Sequence, residues 1–335
     1  MRPPTLAPTP AVESQRWQRD LARAVRDPDV LLARLGLPPS LRPAARQAAR
    51  DFPLVVPESF LARIQPGTPE DPLLVQVLPI SEELRPTPGF VRDPLNEAAA
   101  RVVPGLLRKY EGRALLLAAG SCPVHCRYCF RRHHPYTDDL NGSWGPALEA
   151  IAADAGLREI LLSGGDPLML PDPRLAELCH SLDAIPHLER LRIHTRMPVV
   201  LPSRVTPQLL SLLETLRLRP FVVLHANHPR ELTGDAADAV RSLAGSCTVL
   251  NQSVLLAGVN DDAAVLAELC ERVVQLGALP YYLHQLDPVA GAAHFAVEPA
   301  RGAEIVAELR RRLPGYAVPR YVREIPGEPS KVPLA

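Results

Sequence analysis

The stretch RALLLAAGSCPVHCRYCFRR, Arg113 to Arg132, decides the fold. Its first half is an apolar run closed by Gly120, which reads as a buried strand. Its second half holds Cys122, Cys126 and Cys129, spaced C-x-x-x-C-x-x-C in a basic and aromatic loop. Downstream the same rhythm repeats. The apolar runs REILLSG, RLRIHTR, FVVLHAN, TVLNQSVLL and PYYLHQLD alternate with helical patterns such as TPQLLSLLETL and DAAVLAELCERVVQL. Parallel strands need crossover connections, so six such units in series predict an α/β fold with a parallel sheet and helices outside it. The length suits a partial (β/α)6 barrel better than a closed one of eight units.

Upstream of Arg113 the text is different. Residues 12–51 predict short helices interrupted at Pro28, Pro38-Pro39 and Pro43, and residues 53–100 predict a proline-rich connection. The first ten residues are expected to be disordered. The expected organisation is therefore an N-terminal helical and proline-rich extension over 1–100, the barrel over 101–298, and a closing segment over 299–335.

Bulk composition narrows the function. The chain has 37 basic and 37 acidic residues in 335, so no overall field draws it to nucleic acid or an anionic membrane. A small-molecule substrate fits that balance. No apolar run approaches the roughly 20 residues of a membrane span, and the start lacks the apolar core of a signal peptide, so a cytoplasmic location is expected. Cys179, Cys247 and Cys270 stand alone in apolar stretches and read as packing residues.

The unusual polar residues fall just past the carboxyl ends of the predicted strands, the face on which such folds bind ligands. They are Cys122, then Ser163, Gly164, Gly165 and Asp166, then His194 and Arg196, His225 and Asn227, Gln252, and Asp287. Three cysteines cannot close a tetrahedral zinc site unless a histidine such as His125 or His133 joins them. An iron-sulfur cluster held by three thiolates would instead leave one iron open to a ligand.

The cysteine spacing after a first barrel strand, with Tyr128 and Phe130 beside the last cysteine, resembles the radical S-adenosylmethionine superfamily. LLSGGDPLM, Leu161 to Met169, stands where that superfamily has its Gly-Gly-Glu-type motif. More phrases match the lysine 2,3-aminomutases in fixed order: RKYEGRALLL, SCPVHCRYCFRR, LLSGGDPLML, PVVLPSRVTPQLL, HANHPRELT, NQSVLLAGVND, PYYLHQLDPVAGAAHF and IPGEPSKVPL. The resemblance runs from about Pro88 to the terminus.

That resemblance implies a [4Fe-4S] cluster on Cys122, Cys126 and Cys129. It implies S-adenosylmethionine beside Ser163, Gly164, Gly165, Asp166, His225, Asn227 and Gln252. It also implies pyridoxal 5'-phosphate, joined as a Schiff base to the catalytic Lys331, with Lys109 and Arg113 on its phosphate and Tyr110 beside its ring. Lys109 stands where the family usually has arginine. The implied substrate contacts are Arg131 for the carboxylate and Asp287 with Glu324 for a distal ammonium. Two acids in one pocket repel unless a cation or a proton sits between them, which argues for a cationic substrate side chain.

Glu324 stands where the catabolic enzymes have aspartate, and the chain ends four residues after Lys331, without their long tail. Both features resemble the shorter branch that makes (R)-β-lysine for modification of translation elongation factor P. The expected partners are L-lysine, a reductant such as flavodoxin or ferredoxin, and, functionally, elongation factor P and its lysyl-ligase. An arginine aminomutase, another radical enzyme of maturation type, and a zinc-stabilised binding protein remain as alternatives on sequence alone.

Overall fold

The computed structural model describes residues 16–140 and 143–335. The disorder expected for the first ten residues lies outside them.

Among the described residues, ten strands form one sheet in sequential order. Six are the apolar runs: β3 (Arg113–Ala119), β4 (Glu159–Gly164), β5 (Arg190–Thr195), β6 (Arg219–His225), β7 (Thr248–Val254) and β8 (Leu279–His284). Each pairs in parallel with the next. Helices cross between them, for example Pro207–Thr215, whose N-cap Thr206 accepts from Leu209 N, and Ala263–Gln275, whose N-cap Asp262 accepts from Ala264 N and Val265 N. Their apolar faces close the core from outside; Leu162, Leu191, Ile193, Leu224 and Leu283 are fully buried.

Four short strands extend the sheet at its two ends. β1 (Arg101–Val103) and β2 (Leu106–Tyr110) are antiparallel additions before β3. β9 (Arg320–Arg323) continues the parallel order after β8, and β10 (Val332–Pro333) turns back antiparallel on β9. β1 and β10 are not hydrogen-bonded neighbours, so the barrel is open.

The N-terminal region forms the helices Arg16–Ala22, Pro28–Arg34 and Arg42–Asp51. Pro28 and Pro43 sit in the first turns of the helices they were expected to interrupt, where a missing N–H leaves no intrahelical bond unmade. The connection that follows lies against the cysteine loop. His125 N donates to Val55 O at 3.1 Å and Arg127 N to Gln76 O at 2.9 Å. Glu83 accepts from Arg127 at 2.8 and 2.5 Å and from Arg132 at 2.6 Å, and all three side chains are buried.

Candidate active site

The open barrel encloses a cavity of about 280 Å3, walled by β2 to β8 and by the loop around β9 and β10. All the sequence-predicted site residues except Asn227 line it.

The cysteine loop begins one residue after Gly120 and closes on itself through Cys129 N to Cys126 O at 3.0 Å. Burial pushes the Cys122 thiol well up, and repulsion from Cys129 adds to it; burial and Cys126 push Cys129 up to about 11. Thiols so placed stay protonated until a metal draws the charge in. No three His, Cys, Asp or Glu side chains among the described residues converge on a single metal ion. Three thiols on one loop that lines the cavity form a donor set that fits an iron-sulfur cluster with one iron left open to a ligand. Neither histidine that could complete a zinc site is turned to the cavity: His125 stacks on Phe52 and bonds Pro53 O at 2.7 Å, and His133 bonds Ala290 O at 3.0 Å.

Beside the thiols, the glycines of β4 serve close packing. Gly164 has φ 120° and a Cβ there would lie 2.5 Å from Ala119 O; a Cβ on Gly165 would lie 2.2 Å from Ser121 O. The bare backbone lets Gly165 N donate to Ala119 O at 2.7 Å and Asp166 N to Ser121 O at 2.8 Å, which locks the cysteine loop to β4. Asp166 accepts from Thr195 Oγ1 and Arg196 N at 2.7 Å each and from Leu168 N at 3.0 Å, so it holds the β4 and β5 ends together.

Further round the wall, His225 and Gln252 are register partners on β6 and β7. Burial and the Arg196 charge hold His225 down to about 3, so it faces the cavity as neutral imidazole. Asn227 lies behind this wall, fully buried. Its amide donates to Gln76 at 3.0 Å and Tyr128 at 2.7 Å, and its carbonyl accepts from Val254 N at 2.9 Å. Arg196 reaches Cys126 Sγ, Tyr128, Gln76 and Glu231, and Gln76 in turn reaches Glu231, which binds the extension to the sulfur environment.

The opposite wall is a chain of alternating charges. Arg131 is gripped by Glu97 at 2.7 and 2.8 Å. Lys109 lies 3.1 Å from Glu97 and 2.8 Å from Glu324. Lys331 pairs with the other oxygen of Glu324. The hairpin of β9 and β10 makes that last pair: Arg323 faces Val332 in register, so the neighbouring Glu324 and Lys331 face each other across the turn at Gly327. The chain has two lysines, Lys109 and Lys331, and both are in this cavity.

Burial pushes the Glu324 carboxyl up, but Lys331 and Lys109 outweigh it and hold it down at about 2. Asp287, buried near Glu324, is pushed up to about 7 by burial and by that charge. Tyr110 and Arg113 pair across the β2–β3 turn with the guanidinium 4.7 Å from the ring centre. An amine, two cations and an aromatic ring within one enclosed wall form a donor set that fits an anionic, aldehyde-bearing aromatic cofactor.

Arg192, Tyr281, Tyr282 and His284 line the cavity without having been singled out in the sequence, and so does Glu97. It sits in the unpatterned DPLNEAAA, where no period marks one face from another.

No family model matches the chain. It is 47% identical over 322 residues to the L-lysine 2,3-aminomutase of Haemophilus influenzae, spanning 95% of each chain. It is 47% identical over 330 residues to that of Escherichia coli, spanning 97% of this chain and 96% of that one. Among solved structures, a radical SAM methyltransferase from Sphaerobacter thermophilus superposes with a TM-score of 0.47 at 23% identity, over 65% of this chain and 68% of that one.

Proposed function

The chain belongs to the L-lysine 2,3-aminomutase family of radical S-adenosylmethionine enzymes, and from that premise we propose that it converts L-α-lysine to (R)-β-lysine with pyridoxal phosphate as second cofactor. One observation supports this reading above the others. The two lysines of the chain converge on Glu324 in the same cavity as the three cysteines, so an amine for an aldehyde and thiolates for a cluster face one enclosed space.

When bound, the cluster and S-adenosylmethionine supply a carbon radical that removes and returns hydrogen, and pyridoxal phosphate holds the migrating nitrogen and spreads the unpaired spin. The residues do the rest. Lys331 presents its amine to the cofactor aldehyde, and Lys109 and Arg113 hold the phosphate, with Tyr110 against the ring. Ser163, the Gly164–Gly165 backbone, His225 and Gln252 line the S-adenosylmethionine side. Asp166 holds the β4 and β5 ends of that wall together, and Asn227 positions it from behind.

Arg131 takes the substrate carboxylate. Asp287 and Glu324 take the distal ammonium, which replaces the cation and the proton that the two acids hold without it. Fixing both ends of the substrate in an enclosed cavity sets its β-carbon against the radical source and keeps water out. A flavodoxin or ferredoxin supplies the electron. The β-lysine leaves for the lysyl-ligase that modifies elongation factor P, which sets the work in the cytoplasm.

The protein reconstituted anaerobically with iron, sulfide and pyridoxal phosphate, then reduced with borohydride and digested, tests the reading. The pyridoxyl group is expected on the Lys331 peptide; its appearance on Lys109, or on neither, contradicts the assignment. Parallel incubations with lysine, arginine and glutamate are expected to yield a β-amino product from lysine.

A further inference from the structure

Glu97 comes from the extension rather than the barrel, and several independent features deliver it to the cavity. Asp93 accepts the backbone N–H of Glu97 at 3.1 Å and of Ala98 at 3.4 Å. Asn96, immediately before, has φ 50°, and among the described residues it is the non-glycine with positive φ. Asparagine is among the few L-residues that adopt this left-handed conformation readily. Here it turns the chain so that the Glu97 side chain faces inward, 3% exposed.

The carboxylate meets Arg131 side-on. Nε donates to Oε2 at 2.7 Å and Nη2 to Oε1 at 2.8 Å. Nη1 donates to Ser163 Oγ at 2.8 Å and to Gly164 O at 3.4 Å. A guanidinium has five N–H donors in a rigid fork with two bidentate edges. Glu97 fills the side edge, so a ligand carboxylate meets the end edge, Nη1 with Nη2, by taking over the Nη1 bonds to Ser163 and Gly164. Lys109 holds Glu97 from its other side at 3.1 Å.

We propose that Glu97 is a positioning residue for the substrate carboxylate: it grips the side edge of Arg131 so that the ligand docks on the end edge beside Ser163. This rests on the reading of Arg131 as the carboxylate contact. Lysine and its decarboxylated analogue cadaverine distinguish the role, because they share the amines and differ in the carboxylate.

The experiment measures the affinity of each ligand for the pyridoxal phosphate-loaded full chain from the change in cofactor absorbance. Replacing one charge-assisted pair is worth about 1.5–3 kcal/mol, or roughly tenfold or more. Glu97→Gln is therefore expected to weaken lysine by about tenfold and to leave cadaverine within about twofold, with Glu97→Asp intermediate. In kinetics the KM for lysine rises more than kcat falls. In an Arg131→Lys background, which lacks the fork, the further change to Gln is expected to have little effect.

An equal loss for both ligands, or an undiminished effect in the Arg131→Lys background, overturns the proposal, as does an unchanged lysine-to-cadaverine ratio. If Gln at 97 prevents folding, the Asp variant carries the same comparison. Wild-type protein that loads the cofactor but shows no lysine-induced change contradicts the proposed function itself, a result separate from any effect of Glu97.

Discussion

Asp287 and Glu324 share a pocket but titrate in opposite directions because of what each touches. Two lysine amines lie against Glu324, which stays ionised, and Asp287 is left buried beside that charge and holds a proton up to about pH 7. Lys331, Lys109 and Glu97 are the other charges that act on Asp287. A carboxyl raised in this way contributes stability that is full below its ordinary value of 3.8 and is lost as pH rises through about 7. Binding an ammonium reverses the sign, since Asp287 must release its proton first. The apparent affinity for lysine is expected to fall by up to about tenfold per unit as pH drops below 7, and Asp287→Asn is expected to flatten that branch. A KM–pH profile checks both. At the same scale, Cys126→Ala is expected to abolish formation of 5'-deoxyadenosine, and Lys331→Ala to leave reductive cleavage of S-adenosylmethionine largely intact. Equal loss in both, measured by chromatography of the nucleoside, contradicts the separation of the two cofactor sites.

Strand β4 and the cysteine loop form one element in practice, because the Gly164–Gly165 backbone packs directly on Ala119 and Ser121. Gly165→Ala places a methyl carbon 2.2 Å from Ser121 O, and overpacking of this kind costs about 1–3 kcal/mol. The variant is expected to unfold at lower temperature and to take up less iron per chain; unchanged values of both would mean the loop gives way freely. Strands β3 to β8 are legible in the sequence because each is a short apolar run bounded by turns and separated by a helical period. β2 is harder to see: LLRKY is half polar, and its cue is the Glu111-Gly112 turn, with Gly112 at φ 70°, that folds it onto β3. The β9–β10 hairpin is harder still, since a two-residue strand has no period, yet it is this hairpin that sets Lys331 opposite Glu324.

Across the whole molecule, the extension completes the barrel's site. Its backbone bonds the cysteine loop, Glu83 pairs with the buried Arg127 and Arg132, Gln76 joins Arg196 and Asn227, and Glu97 enters the cavity. None of this is legible in a proline-rich stretch without period, because the partners are long-range and polar. Removing one member of a buried ion pair leaves a charge without compensation and costs roughly 3–5 kcal/mol. Glu83→Gln is expected to lower the unfolding free energy by that order in denaturant titration, and a fragment from residue 101 onward, lacking Glu83 and Glu97, is expected not to fold alone. A stable fragment that still binds iron would show the extension to be dispensable.

On the proposed function, one cavity unites the cluster, the pyridoxal lysine and a lysine-shaped space. The most direct measurement is anaerobic incubation of the fully reconstituted protein with S-adenosylmethionine, a reductant and L-lysine, followed by chiral separation of the products. The expected product is (R)-β-lysine, formed over many turnovers and lost in Lys331→Ala. Unchanged L-lysine in the presence of a complete cluster and bound pyridoxal phosphate would contradict that function.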